Sequence, residues 1–246
     1  MSVEASHANH RAYWRQLARI CGGESVETPG GLLVRTGVPG PGWNLLQLEA
    51  GVAQEAALEQ AGKYFAGHGT AWRLYAGEES AAAEAFAARL GAVAKPRYPI
   101  LNRPCGPAGD PGEGELELST AGDLTELREF LDCAGSVYGF DPALLGPMVH
   151  AGAFDDPALR FHLGRVGGRV VAISLGVRHE DTVGIYFVGV REDHRRRGFG
   201  RLVTEHAIGA EPDATTAVLQ ATPAGLPVYR DMGFTIVAEY RYWNVG

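Results

Sequence analysis

TVGIYFVGVREDHRRRGFGRLVTEHAI, residues 182–208, joins a strand-like run to a helix-like run through a basic turn. Thr182 to Val190 is β-branched, aromatic or glycine at nearly every position, a composition that suits a buried strand. Phe199, Leu202, Val203 and His206 then fall at i, i+3, i+4 and i+7, so the next segment is helical with one inward face. Between them stands Arg195-Arg196-Arg197-Gly198-Phe199-Gly200. Glycines at a helix start let a ligand approach backbone N–H groups that have no intrahelical partner, and the helix dipole adds partial positive charge there. The turn reads either as a pyrophosphate-sized anion site or as a solvated basic helix start. It is not a P-loop, because Lys-Ser/Thr is missing, nor a G-x-G-x-x-G turn, because Leu202 and Val203 stand where a third glycine belongs.

The chain around this stretch has 246 residues, 46% of them hydrophobic, enough for one large domain or two small ones. Its net charge of −7 argues against wide contact with nucleic acid or an anionic membrane, the arginines near 195 being a local exception. Cys21, Cys105 and Cys133 are widely spaced with no C-x-x-C, which indicates reduced structural thiols rather than a disulfide framework or a metal site. The N-terminal residues contain no apolar leader and no run approaches transmembrane length, so a soluble, cytoplasmic protein is expected.

Read in order, helix is expected from His10 to Cys21, strand at 32–38 and 43–48, helix at 53–65, strand at 71–75 and helix at 80–90. The order is that of an α/β protein. Arg103 to Gly114, rich in Pro and Gly, reads as a linker. Beyond it come a strand at 115–119, a helix capped by Asp123 and a helix opened by Asp141-Pro142. A hairpin at 159–166 and 169–177 turns on Gly167-Gly168. After the 182–208 stretch follow a strand at 217–221, a helix from Pro223 to Gly233, and strands at 234–239 and 240–244.

Arg195-x-x-Gly198-x-Gly200 after a strand, followed downstream by Tyr229-Arg230-Asp231-Met232-Gly233-Phe234, resembles the two signature motifs of the GNAT superfamily of acetyl-CoA-dependent N-acyltransferases. The resemblance covers residues 115–246 and implies a mixed-sheet fold in which two neighbouring strands splay and pantetheine lies in the gap. By similarity, backbone groups of Val188, Gly189 and Val190 would hold pantetheine. Arg195, Arg196, Arg197, Gly198, Phe199, Gly200 and Arg201 would hold the pyrophosphate, with Phe199 acting through its backbone and its ring serving the core. The resemblance makes Tyr229 the general acid for the departing thiolate. It extends a weaker cofactor contact to Thr222, where some members have Asn, while Gly225 stands where they have Ala and weakens the helix.

No carboxylate lies on the 182–190 strand, so a general base is not named. His162, His179, Glu180, Asp181, Asp193 and His194 are the nearby candidates, each more in keeping with a turn or surface role, and His150 and His162 are candidates for a substrate pocket. Residues 1–102 contain Ala85-Phe86-Ala87-Ala88-Arg89-Leu90-Gly91-Ala92, an echo of the run that ends at Phe234, yet Glu49-Ala50-Gly51-Val52 replaces the basic turn. The expectation is a tandem arrangement: a degenerate GNAT-like copy at 1–102 that walls the substrate cleft, a linker at 103–114 and a catalytic copy at 115–246. Acetyl-CoA or another acyl-CoA would be cosubstrate, without a metal, and a primary amine on a small molecule the acceptor. Two other readings remain: a non-catalytic acyl-CoA-binding or interaction module, and an enzyme acting on a protein or tRNA-linked acceptor.

Overall fold

A computed structural model describes residues 2–51, 53–77, 80–106 and 114–246. Its elements in chain order are α1 (Val3–Ile20), β1 (Glu24–Thr28), β2 (Gly31–Arg35), β3 (Asn44–Leu48), α2 (Gln54–Gly67), β4 (Trp72–Ala76), α3 (Ala81–Arg89) and β5 (Tyr98–Pro104). Then follow β6 (Glu117–Thr120), α4 (Leu124–Tyr138), two 3-10 turns, β7 (Leu159–Val166), β8 (Arg169–His179), β9 (Thr182–Val190), a third 3-10 turn, α5 (Phe199–Gly209), β10 (Thr216–Gln220), α6 (Leu226–Asp231) and β11 (Thr235–Val245). They form two compact units, one of Arg11–Ile100 with Ile236–Gly246, the other of Leu101–Thr235 with the residues up to His10.

In the unit that starts at Arg11, the strand order is β1-β2-β3-β4-β11, antiparallel except for the parallel β3–β4 pair. The alternation in Trp72-Arg73-Leu74-Tyr75-Ala76 sends Trp72, Leu74 and Ala76 to one face, where Leu58, Ala61 and Phe65 of α2 and Phe86 of α3 join them in a buried cluster. Phe65 stacks on Trp72 at 4.9 Å. Fully burying such side chains contributes roughly 1.5–3 kcal/mol apiece, which makes this cluster the main stabiliser of the unit.

The other unit carries the part of β5 from Leu101 onward beside β10, then β9, β8, β7 and β6. Val183 and Ile185 of β9 meet Ala207 and Ile208 of α5 and Tyr229 of α6 in one cluster, while Gly189 comes close to Val137 of α4. Helices α5 and α6 therefore cover one face and α4 the other. Asp123 caps α4 by accepting from Thr125 N–H and Glu126 N–H at 2.8 and 2.9 Å, and Gly139 ends the helix in the left-handed region at φ 74°.

Several expectations need correction. Helix α1 begins at Val3, ahead of the expected His10, because the polar Ser6, Asn9 and His10 are buried rather than solvated. The polar edge strand β1 and the strand β5 carry no apolar alternation and were not expected; β5 runs into the supposed linker as far as Pro104. Residues 107–113 of that linker lie outside the described residues. Asp141-Pro142 opens a 3-10 turn instead of an α-helix, with Pro147 inside it. Helix α6 starts at Leu226, three positions after Pro223, and the two closing strands are one, β11.

Candidate functional site

Strand β9 has the bounds its composition suggested, Thr182–Val190, and one irregularity. Its register against β8 pairs Tyr186 with Leu175 and Gly189 with Ile173, so Phe187 and Val188 together oppose Ser174 in a bulge. Phe187 sits at φ 51°, a conformation that a bulky side chain adopts only when packing holds it there. Its ring meets Tyr138 edge-on at 5.8 Å.

On the other edge, β9 pairs in parallel with β10 from Thr182↔Thr216 to Ile185↔Leu219 and no further. From Tyr186 onward the two strands no longer share a ladder. Arg191 N–H donates to Val171 of β8 at 2.9 Å, so alternate residues turn their N–H and C=O toward β8 and the groups of Val188 and Val190 point away from it, into the opening. Both carbonyls have side-chain donors: Val188 C=O accepts from the Tyr138 hydroxyl at 2.8 Å and Val190 C=O from Arg195 Nε at 3.2 Å.

The basic turn lies at the end of this opening. Arg196 at φ 64° and Gly198 at φ 81° bend the chain into α5, and no side chain caps the helix. Backbone donors at its first turn thus face outward, as an anion requires. Of the arginines, all exposed, Arg197 pairs with Glu115 and lies 4.9 Å from the centre of the Phe199 ring. Arg196 and Arg201 form no ion pair among the described residues. The Phe199 ring is buried in the core.

Tyr229 reaches the same region from α6. Its side chain is buried, stands edge-on to Phe234 at 5.9 Å, and burial pushes its phenol up to about 12, an effect partly offset by the Thr204 hydroxyl of α5. A Cβ at Gly225 would sit 3.1 Å from the Tyr229 ring, so glycine there makes room for the tyrosine at the expense of helix propensity. Thr222 uses its hydroxyl and its carbonyl to accept from Gly225 N–H, at 3.2 and 3.0 Å. Its first task is to shape the turn.

Three contributing residues were not legible in the sequence. Tyr138 ends α4 and touches the bulge. Arg103, taken for a linker residue, donates to Met232 C=O at 2.8 Å, lies over Phe234 at 5.0 Å and pairs with Glu205, so it anchors the Tyr-x-x-x-Gly-Phe run. Asn9 donates to Val177 C=O and the Thr182 hydroxyl at 3.0 and 2.9 Å and accepts from Tyr186 at 2.7 Å, which ties α1 to β9. None of these has a local signal, since each acts across a long stretch of chain.

The candidate bases are elsewhere. His179 ends β8, and Glu180 and Asp181 form the turn into β9, roughly 20 Å of extended chain from the bulge. Asp193 binds Arg169 and His194. His162 is buried beside His206, ring centres 5.2 Å apart, and burial brings it down to about 3, so it stays neutral. His150 is exposed and precedes the second 3-10 turn. The described residues contain no helix long and apolar enough to cross a membrane and no cluster of ligands for a metal.

Compared with known families, residues 112–212 match the acetyltransferase (GNAT) domain. Compared with the curated proteins, the sequence matches none. Among solved structures, a GCN5-related N-acetyltransferase from Kribbella flavida superposes with a TM-score of 0.71 at 19% identity, covering 97% of this chain and 95% of that one. A GCN5-related N-acetyltransferase from Sphaerobacter thermophilus gives 0.64 at 14%, covering 99% and 93%. A tandem GNAT protein from the clavulanic acid biosynthesis pathway gives 0.55 at 13%, covering 99% and 95%. At such identities the likeness concerns the fold. Residues 112–212 thus match the acetyltransferase (GNAT) domain, and the chain has the mixed α/β fold seen in GNAT acetyltransferases.

Proposed function

We propose that the chain is an acyl-CoA-dependent N-acyltransferase, transferring an acetyl or other acyl group to a primary amine of a small molecule by direct attack in a ternary complex. The observation that carries this reading is the opening between β9 and β10 beyond Ile185 and Leu219. Backbone groups of Val188 and Val190 offer an extended amide-bearing chain a strand edge there, and Gly189 lies between them. Arg195, Arg196, Arg197, Gly198, Phe199, Gly200 and Arg201 supply backbone donors and charge for a pyrophosphate, with Arg196 and Arg201 least committed to the protein itself.

Tyr229 would face the sulfur. A phenol at about 12 is a weaker acid than a thiol of ordinary pKa near ~8.5, so full proton transfer to a thiolate runs uphill by roughly 4–5 kcal/mol. Its stronger contribution is a hydrogen bond to the charge that develops on sulfur. The acceptor amine must be neutral to attack, so the rate should rise with pH, and with Tyr229 so high no falling limb should follow by pH ~10. Residues 1–102 would be a degenerate GNAT-like copy: strand, helix, strand and helix recur there as β3, α2, β4 and α3, with Ala53 rather than glycine before α2.

The test is thiol release from acetyl-CoA across amines, amino acids, aminoglycosides and peptides, with binding measured in parallel. Turnover on a small amine is expected. Binding of acetyl-CoA with no turnover on any acceptor would reassign the chain as a binding module, and salt-sensitive RNA binding would favour a tRNA-linked acceptor.

A further inference from the structure

In the unit of Arg11–Ile100 with Ile236–Gly246, Arg73 of β4 lies directly across from Asn244 of β11, and Tyr75 across from Tyr242. Alternation puts these four side chains on the sheet face opposite the Trp72–Leu74–Trp243 cluster. Arg73 Nε donates to Asn244 Oδ1 at 3.1 Å and Nη1 to the Tyr75 hydroxyl at 3.0 Å. The guanidinium lies 4.7 Å from the Tyr242 ring centre and 5.7 Å from that of Tyr75. Tyr98 meets Tyr242 edge-on at 6.3 Å. Nη2 is beside Gly42, 3.8 Å from where a side chain there would begin.

The group is therefore oriented on two sides and partly buried, yet among the described residues no carboxylate pairs with it. Other arginines of the same unit, Arg15 and Arg89, do have glutamate partners. A partly desolvated cation beside two aromatic rings, with no carboxylate partner among the described residues, is what a site for an anionic ligand looks like before it is filled. With Nε and one Nη1 hydrogen engaged, the Nη1–Nη2 edge remains, and its two parallel N–H bonds match the two oxygens of a carboxylate. A single cation suits a monoanion better than a phosphate dianion, and the partly exposed Tyr242 and Tyr98 offer a flat apolar body a surface to lie on, with the buried Tyr75 holding the guanidinium in place.

We propose that Arg73, with Tyr75, Tyr242, Asn244 and Tyr98, binds a small carboxylate that carries a flat apolar body. This site is independent of the acyl-transfer reading. The test titrates the full chain with benzoate and with its neutral isostere benzamide, read by saturation-transfer NMR. Benzoate should bind saturably at millimolar concentrations, and benzamide about ten-fold more weakly. Arg73→Gln should weaken benzoate by about ten-fold, with Arg73→Lys in between because it keeps the charge and loses the fork. Equal binding of the two ligands, an unchanged benzoate affinity in Arg73→Gln, or no saturable binding by the unmutated chain would each overturn the proposal. Should Arg73→Gln not fold, the benzoate-to-benzamide ratio on the unmutated chain decides the matter alone.

Discussion

The parallel strand pairs β3 with β4 and β9 with β10 are each joined through a helix and followed by another, and of these two only the second opens. Strand β3 ends at Leu48, and Leu48 is still paired, with Ala76. Strand β9 outlasts its ladder: pairing stops at Ile185 while the strand continues to Val190 through the bulge at Phe187. The helices that follow differ in the same sense, α2 starting after Ala53 and α5 after Gly198 at φ 81°. An opening between parallel strands thus requires more than the strand–helix–strand order. It needs a strand longer than its partner, a bulge that turns its free edge outward, and an uncapped helix start at the end of the gap.

The largest effect that would break this comparison is expected at Gly198. Gly198→Val puts a β-branched residue at a positive φ in the turn and blocks close approach to the backbone, so acetyl-CoA affinity should fall by about 100-fold. Gly51→Val, at φ 70° in the turn ahead of α2, should cost about 1–2 kcal/mol of stability and leave that affinity unchanged. Calorimetric titration of both variants separates the halves. Equal losses of affinity would mean that both bind.

Acid should also tell the two units apart. His162 is neutral in the fold at about 3 and carries an ordinary value of 6.5 when unfolded. Its depressed value means that the unfolded chain takes up the proton first. The stability tied to neutral His162 is intact above pH ~6.5 and is lost as pH falls toward ~3, by up to about 1.4 kcal/mol per pH unit. All 4 tryptophans, Trp14, Trp43, Trp72 and Trp243, belong to the other unit. On acidification, circular dichroism should therefore change before tryptophan fluorescence, and His162→Gln should narrow the interval. Coincident transitions in the unmutated protein would show that the units unfold as one.

At the chemical step, Tyr229→Phe should lower kcat about 10–100-fold with the acetyl-CoA KM within about 3-fold. Phe86→Tyr, at the matching place in the earlier half, should not add activity. The smallest effect concerns Tyr138. Its hydroxyl satisfies Val188 C=O, so Tyr138→Phe should leave that carbonyl readier for a ligand amide and tighten acetyl-CoA by about 2–10-fold. Weaker binding would instead make Tyr138 part of the bound site.

What could be read from the sequence was what is local. Strand β9, the β7–β8 hairpin and helix α5 follow from apolar periodicity and turn residues, and the basic turn and Tyr229 stand in contiguous motifs. The bulge left no trace, because nothing in Phe187-Val188 distinguishes it from its neighbours until Ser174 is placed opposite. Tyr138, Arg103 and Asn9 were equally hidden, since their bonds join residues far apart along the chain. Strand β1 was missed because an edge strand of Glu, Ser, Val, Glu and Thr has no buried face to advertise.

The pairing of β4 with β11 joins Trp72 to Val245, which has a consequence during synthesis. The unit containing β4 cannot complete its sheet until residues 236–246 have left the ribosome. At about 5–20 residues per second, β4 waits with an unpaired edge for on the order of ten seconds or more after it is made. The early half of the chain is thus the last to be finished, and its nascent form is the one that most needs a chaperone.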